Sequence, residues 1–349
     1  AYIIGEKPGG MPCASIVTCL FYGAISGSAP ATTAAVGTMT IPVLDEMGYD
    51  HSFSAATVAV AGGLGVIIPP SIPFIVYSMA SGVSVGDMFL AGIIPGCLIA
   101  VCLMVYAIYY CRTKGENKEK IHVTVNALKN KGFMCVLKES FWAILSPVFI
   151  LGGIYSGVVT PTEAALIGVI YSALVGMFIY KTLSLKDLIP ACIETVKTTA
   201  PMLIVLAAAA SFSRILSLLQ ASTVVENLLG PLLSHKVILL LIINLVLLVL
   251  GMIIDTSPSI LIFTPVMLPL AEAVGVDAVH FGIIMVVNLA IGFVTPPVGV
   301  NLYVAQSISS VPVLKLAQKA VPYIVMFIVA LLLITFVPQL STLLVELSK

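Results

Sequence analysis

Hydrophobic residues dominate this chain in long runs that are separated by short polar or proline-containing breaks. Runs at 87–111, 199–219, 235–254 and 320–340 approach the roughly 20 residues that a helix needs to cross a bilayer. The pattern therefore predicts an all-α polytopic membrane protein.

Two of the apolar segments stop at a polar break and then resume. The first runs through 11–25, meets ISGSAPATT and continues as 31–44; the second runs through 237–254, meets DTSPS and continues as 258–272. Each half is close to or below the roughly 20 residues of a full span. The pattern predicts two re-entrant helical hairpins with tips near the membrane midplane, where protein or water must cover the backbone.

A helix interrupted by a Pro-Pro pair follows each predicted hairpin. A proline inside a helix removes a backbone donor and clashes with the preceding turn, so both helices are predicted to be broken. A full span is expected after each. The predicted segments are 53–67, 71–80 and 87–111 after the first hairpin, and 279–293, 299–308 and 313–337 after the second.

The two halves of the chain carry the same Gly, Pro and Asp residues at a shift of 227 positions. Internal repeats with broken helices at corresponding places mark secondary transporters. The pairs that coincide are Pro42/Pro269, Gly48/Gly275, Asp50/Asp277, Gly65/Gly292, Pro69/Pro296, Pro70/Pro297 and Pro95/Pro322.

Basic residues predict the orientation of the repeats. Seven Lys or Arg residues lie within 112–138, which places this segment in the cytoplasm by the positive-inside rule. Counting spans outward from it, the first hairpin opens toward the cytoplasm and the second toward the opposite side. The repeats are therefore predicted to be inverted.

This organisation divides the chain into four predicted regions. They are a first inverted repeat at 1–111, a cytoplasmic amphipathic connector at 112–139, scaffold spans with an interfacial helix (184–197) at 140–198, and a second inverted repeat at 199–349.

Composition supports the membrane interpretation. The 349 residues are 60% hydrophobic and 9% charged, whereas soluble domains carry about 25% charged residues. The formal net charge is zero, so nothing favours nucleic acid as a partner. The seven cysteines show no ligand spacing and are interpreted as small apolar residues. Since the chain starts at Ala1 instead of Met, we expect that an N-terminal piece precedes it.

Broken helices suggest the chemistry of the site. Freed carbonyl oxygens near the midplane can bind a small cation, and half-helix N-termini favour an anion. Na⁺ is a hard cation that takes oxygen ligands. We therefore hypothesise two Na⁺ sites, one in each repeat, with a substrate between the tips.

The candidate residues come from the tips and from the breaks that face them. The predicted Na⁺ ligands are Ser26, Ser28, Gly65, Ile68 and Pro70 in the first repeat, and Asp255, Gly292, Thr295 and Pro297 in the second. The predicted substrate-binding residues are Ser26, Ser28, Thr32, Ser71, Arg214, Asp255 and Asn301. The tips also offer Thr33, Thr256, Ser257 and Ser259.

Two charged residues lie inside apolar stretches, where charge is costly and suggests function. The planar fork of Arg214 suits the anionic group of a substrate. Pairing with Asp255, contact with helix-end carbonyls or an outward-pointing side chain are the alternatives. Asp255 suits a cation site, a bond to a substrate hydroxyl or a structural role at the tip. Glu163 is interpreted as part of a capping box with Thr160.

Four motifs resemble the large membrane subunit of tripartite ATP-independent periplasmic (TRAP) transporters, and the resemblance covers nearly the whole chain. They are GAISGSAPATTAAVG at 23–37, GLGVIIPPSIP at 63–73, SGVVTPTEAA at 156–165 and GFVTPPVGVNLYVA at 292–305. The resemblance implies an elevator-type transporter in the bacterial inner membrane, driven by Na⁺. It implies two partners: a small membrane subunit, separate or fused, and a periplasmic substrate-binding protein.

The resemblance also implies that the substrate is an organic acid, such as a C4-dicarboxylate, sialic acid or another sugar acid. In the sialic acid branch, polar residues of the first tip and an arginine before the second hairpin are implicated in binding. Ser26, Ser28, Ser71, Arg214 and Asp255 stand at the matching places. The resemblance favours sialic acid because many relatives carry Trp where Arg214 stands.

Other classes of function remain open at this point. One is a stand-alone divalent-anion/Na⁺ symporter that needs no binding protein, and another is a passive channel. A membrane enzyme or assembly scaffold is disfavoured because the sequence has no HExxH, no GxSxG and no clustered His. The absence of a Walker A motif disfavours direct use of ATP by this chain. We expect that the protein is not an enzyme.

Overall fold

A computed structural model of the protein describes residues 4–130, 132–229 and 235–348. Helices form nearly all of this part of the chain. They are α1 (Gly10–Ser26), α2 (Ala29–Glu46), α3 (His51–Ala61), α4 (Ile72–Ser81), α5 (Val85–Lys114), α6 (Lys118–Asn130), α7 (Phe133–Tyr155), α8 (Pro161–Leu174), α9 (Leu185–Leu218), α10 (Ala221–Leu229), α11 (Lys236–Ile253), α12 (Thr256–Ala273), α13 (Ala278–Gly292), α14 (Val300–Ser309), α15 (Val313–Phe336) and α16 (Gln339–Ser348).

Local sequence explains where these helices begin and end. Ser28, Asp50 and Ser71 cap α2, α3 and α4 by accepting a hydrogen bond from a backbone N–H of the first turn, as short polar residues do at this position. Gly27 ends α1 in the left-handed conformation, with φ of 62°, which glycine adopts at little cost. Thr160 and Glu163 form the predicted capping box of α8.

Seven helices in the described part of the chain are long and apolar enough to cross a membrane. They are Val85–Lys114, Met134–Tyr155, Pro161–Ile179, Leu185–Leu218, Lys236–Ile253, Thr256–Ala273 and Val313–Phe336. This number of apolar helices identifies a multi-pass membrane protein and confirms the predicted fold class.

The two hairpins stop halfway along their neighbouring broken helices. The Ile72 N–H lies 3.5 Å from the Gly27 carbonyl oxygen at the first tip, and the Val298 N–H donates to the Met252 carbonyl at 3.2 Å near the second. Both breaks lie between two half-helices, α3 and α4 or α13 and α14. A tip that contacts the middle of a membrane-crossing pair ends near the midplane, as a re-entrant hairpin does.

Helices of each repeat pack against helices of the other repeat, and the pairs correspond to one another. The second half of the first hairpin, α2, packs against α14, while its counterpart α12 packs against α4. In the same way α3 packs against α15, and α13 packs against α5. The two repeats are therefore interlocked around the α5–α15 contact, and the core lies where they meet.

Helix α13 occupies the centre of that core. Every residue from His280 to Gly292 on this helix is buried. Its own Phe281 is fully buried, as are Tyr77 and Phe327 on other helices. In the two breaks, Gly62, Gly65 and Gly292 contact other backbones or buried side chains directly, so the core is closely packed where the tips meet the breaks.

Two details differ from the sequence predictions. The segment 184–197 is not a separate interfacial helix, because α9 runs without interruption from Leu185 to Leu218. No glycine interrupts this stretch, and Pro190 and Pro201 lie inside the helix. A terminal helix, α16, also follows the last predicted span. The connector contains α6, whose Ile121 and Val125 are buried against Met11, Leu44 and Met47.

Candidate functional site

The first tip and the first break touch through their backbones. A side chain at Gly65 would lie 2.7 Å from the Ser28 carbonyl oxygen and would overlap the Thr32 hydroxyl. Gly27 is equally close to the Pro70 carbonyl oxygen. Glycine at these positions therefore allows the hairpin to approach the broken helix closely.

Hydroxyl groups cluster at this contact. The Ser26 and Thr32 hydroxyl oxygens are 2.8 Å apart, and the Thr32 hydroxyl donates to the Ser28 carbonyl at 2.8 Å. Thr33 is fully buried and its hydroxyl has no hydrogen-bond partner among the described residues. A buried polar atom of this kind is expected to have a partner, such as water or an ion.

The first break supplies the other predicted ligands of this repeat. Ile68 is buried, and its N–H donates to the Leu64 carbonyl at 2.9 Å. Ser71 is buried, donates its hydroxyl proton to the Val66 carbonyl and caps α4. The structure thus brings Ser26, Ser28, Thr32, Gly65, Ile68, Pro70 and Ser71 together in one region, although their roles remain predictions.

A cavity of about 570 Å³ opens beside this contact. Its walls come from the first tip and break, from α4 and α5, and from α7, α8 and α9. No charged side chain lines it, and its polar side chains are the hydroxyls of Ser26, Ser71, Ser146, Ser172 and Thr195 with the Cys192 thiol. The cavity can therefore hold a small molecule through hydroxyl and backbone contacts.

Two helices begin at the wall of this cavity, which we call the first cavity. Gly27 lies just before α2, and Pro70, Ser71 and Ile72 surround the start of α4. The positive end of each helix dipole favours an anion nearby. Their caps are the neutral residues Ser28 and Ser71, so this electrostatic preference is left uncompensated by a side-chain charge.

The second tip approaches its facing break as closely as the first tip does, but it carries a charged cap residue where the first tip has a neutral one. A side chain at Gly292 would overlap the backbone of Gly251 in α11. Asp255 precedes α12 as its cap residue, at the position equivalent to Ser28, and it is exposed. A carboxylate at this end of a helix favours cations over anions.

The remaining predicted residues of the second repeat differ in burial and in the groups that they contact. Thr295 donates to the Ile291 carbonyl at 2.7 Å, and Pro297 is exposed. Asn301 is fully buried, and its amide donates to the Ala59 carbonyl of α3 at 3.0 Å. The bond to Ala59 joins the second break to the first repeat. The Asn301 Oδ1 has no partner among the described residues.

The structure does not place Arg214 with the hydroxyls of the first tip. It is exposed on α9 and is absent from the residues that line the first cavity. Within the described part of the chain it makes no ion pair with Asp255. Helix α9 nevertheless packs against α12 and supplies Thr195 to the cavity wall.

Sequence reasoning missed a chain of buried polar side chains in the second repeat. Asn288 donates to Asn244 at 2.6 Å, and Asn244 donates to the Thr335 hydroxyl at 3.2 Å. Asn residues inside the apolar runs IINLVLL and MVVNLAI were the available signal, because polar groups in membrane helices carry a cost.

Fold and site together define a class, a multi-pass membrane protein with paired re-entrant hairpins facing broken helices. The family model described as "Tripartite ATP-independent periplasmic transporter, DctM component" matches residues 1–340. The chain belongs to this family, a family of transporter permease subunits, which confirms the resemblance of the four motifs.

Several similar proteins carry names that specify a transporter. The chain is 43% identical to the isethionate TRAP transporter permease protein DctMQ of Oleidesulfovibrio alaskensis, over 97% of this chain and 52% of that protein. It is 37% identical to the C4-dicarboxylate TRAP transporter large permease protein DctM of Pseudomonas aeruginosa, over 97% and 78%. It is 34% identical to the sialic acid TRAP transporter large permease protein SiaM of Vibrio cholerae, over 99% and 79%.

The alignments cover different shares of these three relatives. The chain spans about half of the isethionate relative and nearly four fifths of the other two. The names agree on the kind of protein and differ in the substrate that they give.

Proposed function

We propose that this chain is the large membrane subunit of a Na⁺-coupled TRAP transporter that imports a small organic anion. The observation that carries this proposal is the first cavity, which combines a wall free of charged side chains with the N-termini of α2 and α4. A carboxylate or sulfonate near these N-termini would be stabilised by the positive ends of both helix dipoles. Family membership supports the same function.

Na⁺ is proposed as the coupling ion because the tips offer oxygen donors without acidic clusters. Among the described residues, no group of three or more His, Cys, Asp or Glu could hold a metal ion, whereas the hydroxyls of Thr33 and Ser259 are buried without partners. Hydroxyl and carbonyl oxygens suit a hard cation of low charge. We keep one Na⁺ site in each repeat, with the ligands named above, as part of the proposal.

The anion itself is proposed by class. The relatives' names include isethionate, C4-dicarboxylates and sialic acid, which share a small size and an acidic group. Sialic acid remains the specific hypothesis that the matching residues suggested. Its main support, Arg214, does not line the first cavity, so we propose that Arg214 meets the anion in another state of the transport cycle.

An elevator motion provides such a second state. In this proposal the hairpins and broken helices of the two repeats move as a unit against α7, α8 and α9, which close the first cavity from the other side. The chain would work in a bacterial inner membrane with a small membrane subunit and a periplasmic binding protein. It would carry no enzymatic activity.

Uptake by proteoliposomes that contain the complete membrane complex tests the function. Labelled sialic acid, isethionate and a C4-dicarboxylate are offered separately with the cognate binding protein, in Na⁺ or K⁺ buffer. The proposal predicts that one of these anions accumulates, and that accumulation needs both Na⁺ and the binding protein.

Other outcomes separate the alternatives. Accumulation with Na⁺ but without a binding protein would identify a stand-alone symporter. Flux that only equilibrates the anion, with a leak current, would identify a channel. Accumulation that is equal in Na⁺ and K⁺ would contradict Na⁺ coupling.

A further inference from the structure

A second cavity, of about 600 Å³, lies at the end of α11 and α13 that is far from the tips. Its rim carries the charged groups of Lys236, Asp277 and Glu346, and its floor contains His280 and Thr335. Lys236 already donates to the Gly275 carbonyl at 3.0 Å. The two acidic side chains leave the rim with a net attraction for cations.

A line of buried polar side chains continues from the floor of this second cavity into the core. It consists of His280, Thr335, Asn244 and Asn288, and we call it the polar chain. All four residues are at least nine-tenths buried. The His280 Nε2 lies 3.3 Å from the Thr335 carbonyl oxygen, and hydrogen bonds join Thr335 to Asn244 and Asn244 to Asn288.

The direction of these hydrogen bonds is fixed by their partners. The Thr335 hydroxyl donates to the Leu331 carbonyl at 2.8 Å, so it accepts from the Asn244 amide. The Asn244 Oδ1 then accepts from the Asn288 amide, which also donates to the Ile284 carbonyl at 2.9 Å. The chain therefore leaves the Asn288 Oδ1 without a donor, and no described residue supplies one. At its other end the His280 Nδ1 is also buried and unpartnered.

The polar chain points toward the second break. His280 and Asn288 are eight residues apart on α13, which is about 12 Å along a helix. Gly292, at the contact with the second tip, follows one helical turn after Asn288. The free oxygen of Asn288 thus lies between the second cavity and the proposed second Na⁺ site.

The fold itself does not require these polar residues. The first repeat has Phe53, Val17, Ile108 and Ala61 at the positions equivalent to His280, Asn244, Thr335 and Asn288, at the shift of 227. These four residues are apolar, and the first repeat forms the same arrangement of helices with them. Interhelical hydrogen bonds alone therefore do not explain why the second repeat carries the polar chain.

We propose that the polar chain is a hydrated pathway along which a monovalent cation passes between the second cavity and the second tip. The unpartnered Asn288 Oδ1 replaces part of the water around the ion. This inference rests on the proposed function only in naming Na⁺ as the cation.

Replacement of Asn288 by Leu, with Thr57→Val as the matched control, tests the pathway in the complete complex. Thr57 is also buried and hydrogen-bonded, to the Tyr323 hydroxyl at 2.7 Å, but it lies in the first repeat. Both variants lose a buried polar group. N288L should raise the Na⁺ concentration for half-maximal uptake about tenfold, the effect of losing one polar contact to the ion. T57V should leave that concentration unchanged. An unchanged Na⁺ dependence in N288L would overturn the proposal.

Chemical labelling gives a result that does not depend on transport. N288C should react with a cationic, membrane-impermeant methanethiosulfonate reagent added from the side opposite the connector 112–139, and Na⁺ should slow this reaction more than choline. The matched variant A61C should not react. Peptide mass spectrometry locates the label, so the native cysteines can stay. No reaction of N288C, or a rate that is independent of Na⁺, would contradict the pathway. If the wild-type complex needs no Na⁺ while N288C still reacts, the proposed function fails and the pathway stands.

Discussion

The two repeats share one architecture and differ in the chemistry at their tips. In the first, neutral Ser28 caps α2, and the tip faces a cavity lined by hydroxyls. In the second, Asp255 stands at the same position, and the neighbouring core contains the polar chain. The repeated Gly and Pro residues fix the backbone, while the residues between them decide which charge each tip favours. We infer that the first tip serves mainly the anion and that the second serves mainly a cation.

The largest expected effect comes from Gly292, which contacts the backbone of Gly251. Gly292→Ala should destabilise the protein by about 1–3 kcal/mol or more, because neither backbone can move aside without shifting the tip. Thermal unfolding of the purified complex measures this loss. Gly152→Ala is the control, since a Cβ at Gly152 meets nothing within 4 Å and alanine favours helix. An equal, small effect of both substitutions would show that the tip and the break do not touch.

The second-largest effect is expected when the neutral cap residue of the first tip, Ser28, is replaced by a charged one, because this should weaken anion binding. Ser28→Asp keeps a good helix cap but places a negative charge beside the first cavity, so the substrate concentration for half-maximal uptake should rise about tenfold or more. Ser84→Asp is matched to it, because Ser84 caps α5 in the same way and is absent from the cavity lining. If both variants take up the anion as well as the wild type does, the anion does not bind near α2.

Removal of the charge at the second tip should affect the cation instead. Asp255→Asn keeps the size of the side chain, so the hairpin should stay folded. The Na⁺ concentration for half-maximal uptake should rise about threefold to tenfold, in line with the loss of one exposed charge. Uptake measured against Na⁺ at saturating substrate tests this. Asp87→Asn serves as the control, because Asp87 lies in the first turn of α5 and lines neither cavity. A change in neither Na⁺ nor substrate dependence would make Asp255 structural.

The smallest effect concerns a link between the repeats at His51. Its ring nitrogens lie 2.6 Å from the Asp45 carboxylate and 2.7 Å from the Ser309 carbonyl oxygen. Both partners accept hydrogen bonds, so both bonds form only when the ring is protonated. The hydrogen bonds to the Ser309 carbonyl and to the Asp45 carboxylate raise the pKa of His51 above its usual value. The link should therefore be complete at low pH and should lose one bond as pH rises through this raised pKa.

His51→Gln should remove this pH dependence. The difference in thermal stability between pH 5.5 and pH 8 should shrink by the equivalent of about 1 kcal/mol or less, because the pair is partly exposed. His235→Gln is the control. A pH profile that is identical in wild type and His51→Gln would show that the link does not contribute.

Features that depend on neighbouring residues were predictable from the sequence. The break between α1 and α2 follows from Gly27 and Ser28, and the breaks after α3 and α13 follow from the Pro-Pro pairs, so these helix ends lie close to their predicted positions. The contact of each tip with its facing break also followed, because repeated Gly and Pro residues mark both partners.

Features that depend on distant residues were not predictable. The hydrogen bond between Asn244 and Thr335 joins residues 91 positions apart, and that between Asn288 and Asn244 joins residues 44 apart. The first cavity needs walls from both the first repeat and α9, and hydropathy does not reveal that Arg214 lies outside it. The continuous α9 was missed because its polar and apolar halves resemble two separate segments.

The central claim is that the first tip serves mainly the anion and the second tip mainly the cation. The most direct test measures the Na⁺ concentration and the anion concentration for half-maximal uptake in S28D and in D255N. The account predicts that S28D raises the half-maximal anion concentration without raising that of Na⁺. It predicts that D255N raises the half-maximal Na⁺ concentration and leaves the anion concentration unchanged at saturating Na⁺. Equal shifts of both concentrations in both variants would contradict the account.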